Sequence, residues 1–328
     1  MKPGLAKLGI CAVMICCLGP MNAVAQPAGG YPTKLVRMVF PYPPGSIQDA
    51  FTRVVAEKLA AMWKQPVIVE NRPGANGNVG AAVVARAEPA GYILLVSPPG
   101  PISMNGSLYK NLSYDPAQWS PVTILTRQPM LLAARKNLPA KSVQELIALA
   151  KRNPGKLTFG TLGTGSISHL TMALFLSMAG VTLVNVPYQG SAPAMVALMG
   201  EQIDIVFDNP GTVMGPARSG RIKILAGGST QRLPALPDTP TFSEAGFPNL
   251  RPYAWLGVVA PPNTPIAITQ QISKAMAEVL KLPDVQKRLE DNMTEAVGST
   301  PAETDVFVLK ERALWREVIQ SANVTLVD

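Results

Sequence analysis

Enzyme chemistry needs reactive side chains at workable spacing, and this chain of 328 residues offers few of them. It has one histidine, His169, and three cysteines, Cys11, Cys16 and Cys17, all inside an apolar N-terminal segment. Ser166 and His169 form a nucleophile-and-base pair only if a third group orients the ring. No G-x-S-x-G elbow surrounds Ser166, no Walker A pattern is completed at Pro154-Gly155-Lys156, and no G-x-G-x-x-G follows a strand. One histidine, with the cysteines confined to that segment, leaves too few donors for a zinc site. No metal, no other cofactor and no catalytic residue is therefore expected. Two stretches point to a different chemistry: GSIQDAFTRVVAEKL from Gly45 and GSISHLTMALFLSM from Gly165, each set between a strand and a helix.

The first helical turn presents unpaired N–H groups and roughly half a positive charge. Such a terminus binds carboxylate or phosphate without a cationic side chain. Gly45, Gly163 and Gly165 allow close backbone approach, and Ser46, Thr164, Ser166 and Ser168 add hydroxyl donors. The first loop, FPYPPGSIQDA, contains no lysine, arginine or histidine, so the backbone must do the holding. Two such termini facing one cleft suit a ligand with one or two carboxylates. Asp49 is expected to stabilise its helix and fix the loop, since it would repel an acid. His169 has two open roles, beside the ligand or satisfying buried backbone. Tyr42 is either cleft wall or core, and Met172, Met178, Met195 and Met199 are expected to fill core.

The elements that position these loops alternate. LVRMVF, VIVE, YILLVS, TLVNV, IDIVF, IKILAG and LGVVA are short, β-branched runs that predict buried strands. Helices are predicted between them. Ser142 and Glu145 form one N-terminal capping box, Thr300, Pro301 and Glu303 another, and Ile268, Ile272, Ala275, Met276 and Val279 lie on one apolar face. Each Gly-Ser-Ile helix is followed by a strand, a glycine turn (RPGANG, YQGSAP), a short helix and another strand. The plan predicts an α/β chain of two similar lobes, each a mostly parallel sheet flanked by helices. Residues 27–126 with 254–328 are expected to form lobe 1, and 127–253 lobe 2.

The N-terminus predicts a secretory signal peptide over residues 1–25. Lys2 and Lys7 precede an apolar run, and Ala23-Val24-Ala25 gives a small-x-small cleavage pattern. Removing it lowers the lysine and arginine count from 29 to 27 against 21 acids, a net charge of +6. The surplus favours anionic partners, but its residues are scattered, which excludes a nucleic-acid groove. A periplasmic, monomeric product is expected.

With these motifs in place, the chain resembles the Bug family, the extracytoplasmic receptors of tripartite tricarboxylate transporters. The resemblance runs through YPTKLVRMVFPYPPGS, VIVENRPGANGNVGA, SLYKNLSYDP, LPAKSVQELIALAKRNPGKLTFGTLGTGSISHL, VNVPYQGSAPAMVALMGEQIDIVFDN and LPALPDTPTFSEAGFP. It implies a two-lobed Venus-flytrap fold with crossing segments, and small carboxylate ligands held largely by backbone amides and waters. Carried onto this chain, the implied ligand-binding residues are Tyr42, Gly45, Ser46, Ile47, Gln48 and Asp49 from one lobe. The other supplies Thr161, Gly163, Thr164, Gly165, Ser166, Ser168 and His169, with Asp208 and Asn209 nearby. Where the family commonly has further glycines after the first, this chain has Ser46 and Ile47, and Gln189 stands where lysine is frequent. A β-branched residue disfavours positive φ, so Ile47 implies an altered loop backbone or a side chain turned into or away from the cleft. A carboxylate receptor delivering to membrane permease subunits is the leading functional class. A receptor presenting its ligand to a sensor kinase is the alternative, and a secreted hydrolase a more distant one.

Overall fold

The computed structural model describes residues 30–322 together with Met1 and Val324. The chain divides into two units, Met1–Tyr31 and Pro32–Asp328, and the architecture below belongs to the second. The expected signal peptide, with its cysteines and cleavage point, lies outside the described residues apart from Met1.

Eleven strands and ten helices alternate along the described residues. They begin β1 (Val36–Phe40), α1 (Ile47–Trp63), β2 (Val67–Asn71), α2 (Asn78–Ala85), β3 (Ile93–Ser97), α3 (Asn105–Leu108), β4 (Ser120–Pro129) and β5 (Leu131–Arg135). There follow α4 (Val143–Arg152), β6 (Thr158–Thr161), α5 (Ile167–Ala179), β7 (Val184–Pro187), α6 (Ser191–Met199), β8 (Ile205–Asp208), α7 (Pro210–Arg218) and β9 (Ile222–Gly227). The chain closes with β10 (Tyr253–Ala260), α8 (Ile266–Leu280), α9 (Pro283–Asp291), β11 (Glu295–Ala296) and α10 (Pro301–Ser321).

Two sheets result, with orders β11-β4-β10-β3-β1-β2 and β7-β6-β8-β5-β9. In the first, β1, β2, β3 and β4 run one way and β10 and β11 the other; in the second, only β5 opposes the rest. The inverted strands β5 and β10 are the first strands after each passage between lobes. β4 ends at Pro129 and β5 starts at Leu131, so the outward passage is a single residue, Met130. The return passage lies beside it. Met130 N–H donates to Pro252 O at 2.9 Å, and Gly228 N–H donates to Met130 O at 2.9 Å. A Cβ at Gly228 would sit 2.2 Å from Pro252 O, so only glycine lets the two passages touch.

Each sheet is buried between helices. In the second lobe, Leu132, Ala134, Phe159, Ile205 and Phe207 pack with Leu146, Met172 and Phe175 on one face. Leu131, Ala133 and Val206 pack with Met195, Leu198 and Val213 on the other. The alternation of Leu131, Leu132, Ala133 and Ala134 between faces is the period-two signature of a strand. Helix α10 carries the Thr300–Glu303 capping box and packs Val308 into the first lobe's core. Its C-terminal half, through Trp315, Val318 and Ile319, joins a cluster that includes Leu170 of α5, and so touches both lobes. Ser142 caps α4 as expected, but Glu145 reaches back to the Lys141 N–H at 2.7 Å, one residue earlier than the box predicts. Met172 and Met195 are buried, whereas Met178 is 41% exposed and does not fill core.

Candidate ligand-binding site

Both Gly-Ser-Ile loops are locked by the same pair of hydrogen bonds. In the first, Gly45 takes φ of +100° and Ser46 is the extended N-cap of α1. Ser46 Oγ accepts from Asp49 N–H at 3.0 Å, and Asp49 Oδ2 accepts from Gly45 N–H at 3.0 Å. In the second, Gly165 takes φ of +74° and Ser166 is the extended N-cap of α5. Ser166 Oγ accepts from His169 N–H at 3.3 Å, and His169 Nδ1 accepts from Gly165 N–H at 3.1 Å. The residue four positions after the glycine is a carboxylate in one loop and an imidazole in the other, yet it makes the same bond. Ser46 also accepts the Ala50 N–H through its carbonyl, and Ser166 that of Leu170. The first-turn amides left over belong to Ile47 and Gln48 in one lobe and to Ile167 and Ser168 in the other.

Electrostatics follow from these bonds. Burial pushes the Asp49 carboxyl up, but Gly45 N–H, Asn71 and Arg53 outweigh it and hold it below the ordinary range. Asn71 Nδ2 donates to Asp49 Oδ1 at 2.8 Å and Arg53 approaches at 3.2 Å, so both carboxylate oxygens are occupied by neighbouring groups. Burial alone lowers the His169 pKa and keeps the ring neutral. With Nδ1 accepting, the neutral ring carries its hydrogen on Nε2; Asn185 Nδ2 stands 3.4 Å from it, and turning the carboxamide over would bring its unpartnered oxygen to that hydrogen instead.

Between the lobes lies a cleft of about 510 Å³, a volume suited to a small metabolite. The first lobe contributes Tyr42, Pro43, Pro44, Ser46, Gln48, Asn76, Gly100 and Met104; the second contributes Leu162, Gly165, Ser166, Ile167, Gln189, Gly190, Ser191 and Asn209. None of the described lining residues carries a formal charge. The N-termini of α1, α5, α6 and α7 all reach this wall, through Ser46, Ser166, Gly190 and Asn209. Helix N-termini reaching a wall with no cationic side chain are an arrangement that favours an anion.

Of the residues singled out in the sequence, Tyr42, Ser46, Gln48, Gly165, Ser166 and Asn209 line the cleft. Tyr42 is wall rather than core. Its hydroxyl donates to Asn76 O at 3.3 Å, and a Cβ on Gly100 would come within 2.9 Å of it. Gly45, Asp49 and His169 stand behind the wall as loop locks, and Gly163 adds the turn with φ of +123°. Ser168 is spent elsewhere, donating to Phe207 O at 2.7 Å. Thr164 is exposed and lines no part of the cleft, while Thr161 and Asp208 are fully buried at strand ends beside it. Ile47 begins α1 in helical conformation, because Gly45 carries the positive φ that the altered loop needs. Its side chain faces a separate cavity of about 170 Å³ that adjoins the cleft at Gln48 and Ala254. A Cβ on Gly211 would lie 2.8 Å from Ile47 Cδ1, so Ile47 meets the opposite lobe, and it is not among the residues described as lining the cleft.

Sequence reasoning named the RPGANG and YQGSAP turns and Gln189 but left Asn76, Gln189, Gly190 and Ser191 out of the ligand-binding set, and it passed over Pro98, Pro99 and Gly100. A signal existed: RPGANG and YQGSAP hold equivalent places after the strand that follows each Gly-Ser-Ile helix, and SPPG follows β3 much as FPYPPG continues β1.

A two-lobed clamp whose ligand space is ringed by helix ends is the architecture of periplasmic binding proteins. The chain belongs to the family described as "Tripartite tricarboxylate transporter family receptor", which matches residues 51–324. Among similar chains, the protein BugT of Bordetella pertussis is 31% identical over 98% of this chain and 98% of its own. The structure titled "R. palustris Rpa4515 with adipate" superposes with a TM-score of 0.79 at 33% identity, covering 90% of this chain and 99% of the other. That of MatC (Rpa3494) from Rhodopseudomonas palustris with bound malate gives 0.76 at 31%, covering 88% and 100%. Family and fold are those of solute-binding receptors.

Proposed function

We propose that the protein is a periplasmic receptor that captures a small carboxylate between its lobes and delivers it to a tripartite tricarboxylate-type permease. The observation that carries this is the uncharged cleft lined by four helix N-termini. A carboxylate entering it meets first-turn amides at Gln48 and Ile167 and the hydroxyls of Ser46, Ser166 and Ser191. Charge-assisted bonds of this kind need no neighbouring arginine. The lobes, residues 27–126 with 254–328 and residues 127–253, would close about Met130 and the Gly228–Pro252 contact. Export would use the leader of residues 1–25, cleaved after Ala25. Relatives titled with adipate and malate make these two acids natural first members of a test panel.

Thermal-shift screening of the chain lacking residues 1–25, against mono-, di-, tri- and aromatic carboxylates, tests the proposal. A ligand at one hundred times its Kd adds roughly 2.7 kcal/mol, a readable rise in midpoint. Stabilisation by no carboxylate, or by cationic or neutral solutes instead, would overturn it.

A further inference from the structure

Asp208, at the end of β8, is fully buried and has no cationic partner. Its Oδ1 accepts from Asn209 N–H at 2.7 Å and from Ser191 Oγ at 3.0 Å, while Oδ2 has no partner at all. Asn209 Oδ1 and Thr161 Oγ1, at the same end of the parallel strands β6 and β8, are also buried without partners. Among the described residues, the packed elements bring no compensating charge. On α5 the titratable group is His169, kept neutral by burial. β6 and α6 have no charged residue, and Tyr188 precedes α6. Arg218 ends α7, remote from its first turn, and Arg135 of β5 is bound to Asp204 at 2.7 Å. Across the cleft, Asp49 is tied to Arg53 and Asn71. An ionised carboxylate here leaves one buried oxygen without a protein partner, a costly state that neutralisation relieves.

Ser191 couples this group to the cleft, because it lines the ligand space and bonds Asp208. Its hydroxyl has one hydrogen. When Asp208 is ionised, that hydrogen points at Oδ1 and Ser191 shows only lone pairs to an incoming carboxylate. When Asp208 holds a proton, its own O–H can donate to Ser191 Oγ, and the serine hydrogen is free to turn toward the ligand.

We propose that Asp208 is a proton-carrying positioning residue: the receptor takes up a proton with its anionic ligand, and Ser191 relays that proton as a hydrogen bond to the ligand carboxylate. No covalent bond changes; the proton comes from solvent and returns on release. The proposal rests on the carboxylate function above. Burial, opposed in part by Asn209 N–H and Ser191, pushes the Asp208 carboxyl up to about 6, which places the effect in an accessible range. Above that pH the free receptor is ionised and binding must draw a proton, so affinity falls by up to about tenfold per pH unit.

Calorimetry at pH 6 and pH 8, in buffers of differing ionisation enthalpy, tests this with the tightest acid of the panel, adipate and malate included. Wild type should weaken at least tenfold between the two pH values and show proton uptake at pH 8. Asp208→Asn, which has no proton to titrate, should lose both the pH dependence and the proton uptake. Ser191→Ala should be weaker at both pH values with the pH dependence lost. Asp208→Asn also separates the two titratable groups: a pH dependence owed to His169 would survive that substitution, and one owed to Asp208 would not. Equal affinity of wild type at both pH values, or undiminished pH dependence in Asp208→Asn, overturns the proton device while leaving the carboxylate receptor standing. Binding of no carboxylate at either pH overturns the receptor function, and the device with it.

Discussion

His169→Phe should separate the lock from the packing. The ring of His169 is 8% exposed and stacks on Phe159 at 6.4 Å between centroids, so phenylalanine keeps shape and burial. What it removes is Nδ1, the acceptor of the Gly165 N–H. A buried donor left unpaired costs about 1–3 kcal/mol. If the free amide is satisfied by the loop rearranging, the cost appears in binding, as a Kd weakened roughly five- to 150-fold. If the loop stays, it appears in the unfolding midpoint. The pH profile adds a second readout. The folded-state pKa of His169 lies below its unfolded value of 6.5, so the neutral ring's stabilisation is present above that value. It is lost as pH falls through the folded pKa, because the unfolded chain then binds the extra proton. His169→Phe should lack that part of the acid slope. Calorimetry and thermal unfolding between pH 5 and pH 8 check both. A variant with wild-type affinity, midpoint and acid slope would show that the imidazole locks nothing.

Gly228→Ala should destabilise by about 1–3 kcal/mol through overpacking, since its Cβ falls 2.2 Å from Pro252 O where both passages are backbone; an unchanged unfolding midpoint would mean the passages yield freely. Ile47→Gly should shift affinity for all ligands by one common factor, because Ile47 meets Gly211 across the lobes and lies outside the cleft wall. A changed ranking of acids would place Ile47 in the ligand space after all.

Much of this site could be read from residue order because its parts are local. Ser46 and Ser166 cap their helices through bonds three residues long, and the paired glycines need positive φ that few other residues tolerate. The same locality predicted that Asp49 serves its own loop. Elements set by distant partners were hidden. Leu131-Leu132-Ala133-Ala134 has helix-forming residues, and becomes β5 only by pairing with β8 and β9. β6 is four residues long and contains Gly160, where a Cβ would lie 2.4 Å from Ile203 Cδ1, a constraint no short-range pattern reveals. Asp208 looked like one more acid near a strand end. Its isolation from every cation, and its bond to Ser191 seventeen residues away, exist only in the folded chain.

The central claim is that backbone, and not a cation, holds the ligand. Calorimetry on Gly165→Val, Ser166→Ala and Arg288→Gln with one carboxylate, each variant shown to be folded, tests it most directly. Ser166→Ala removes a hydroxyl bond to a charged group, about 1.5–3 kcal/mol, or roughly ten- to 150-fold in Kd. Gly165→Val forces a β-branched residue to φ of +74° and displaces several amides together, so it should cost more than that. Arg288, the cation lining the adjoining cavity, should matter only a few-fold when neutralised. Binding that survives Gly165→Val but is abolished by Arg288→Gln would contradict capture by helix ends.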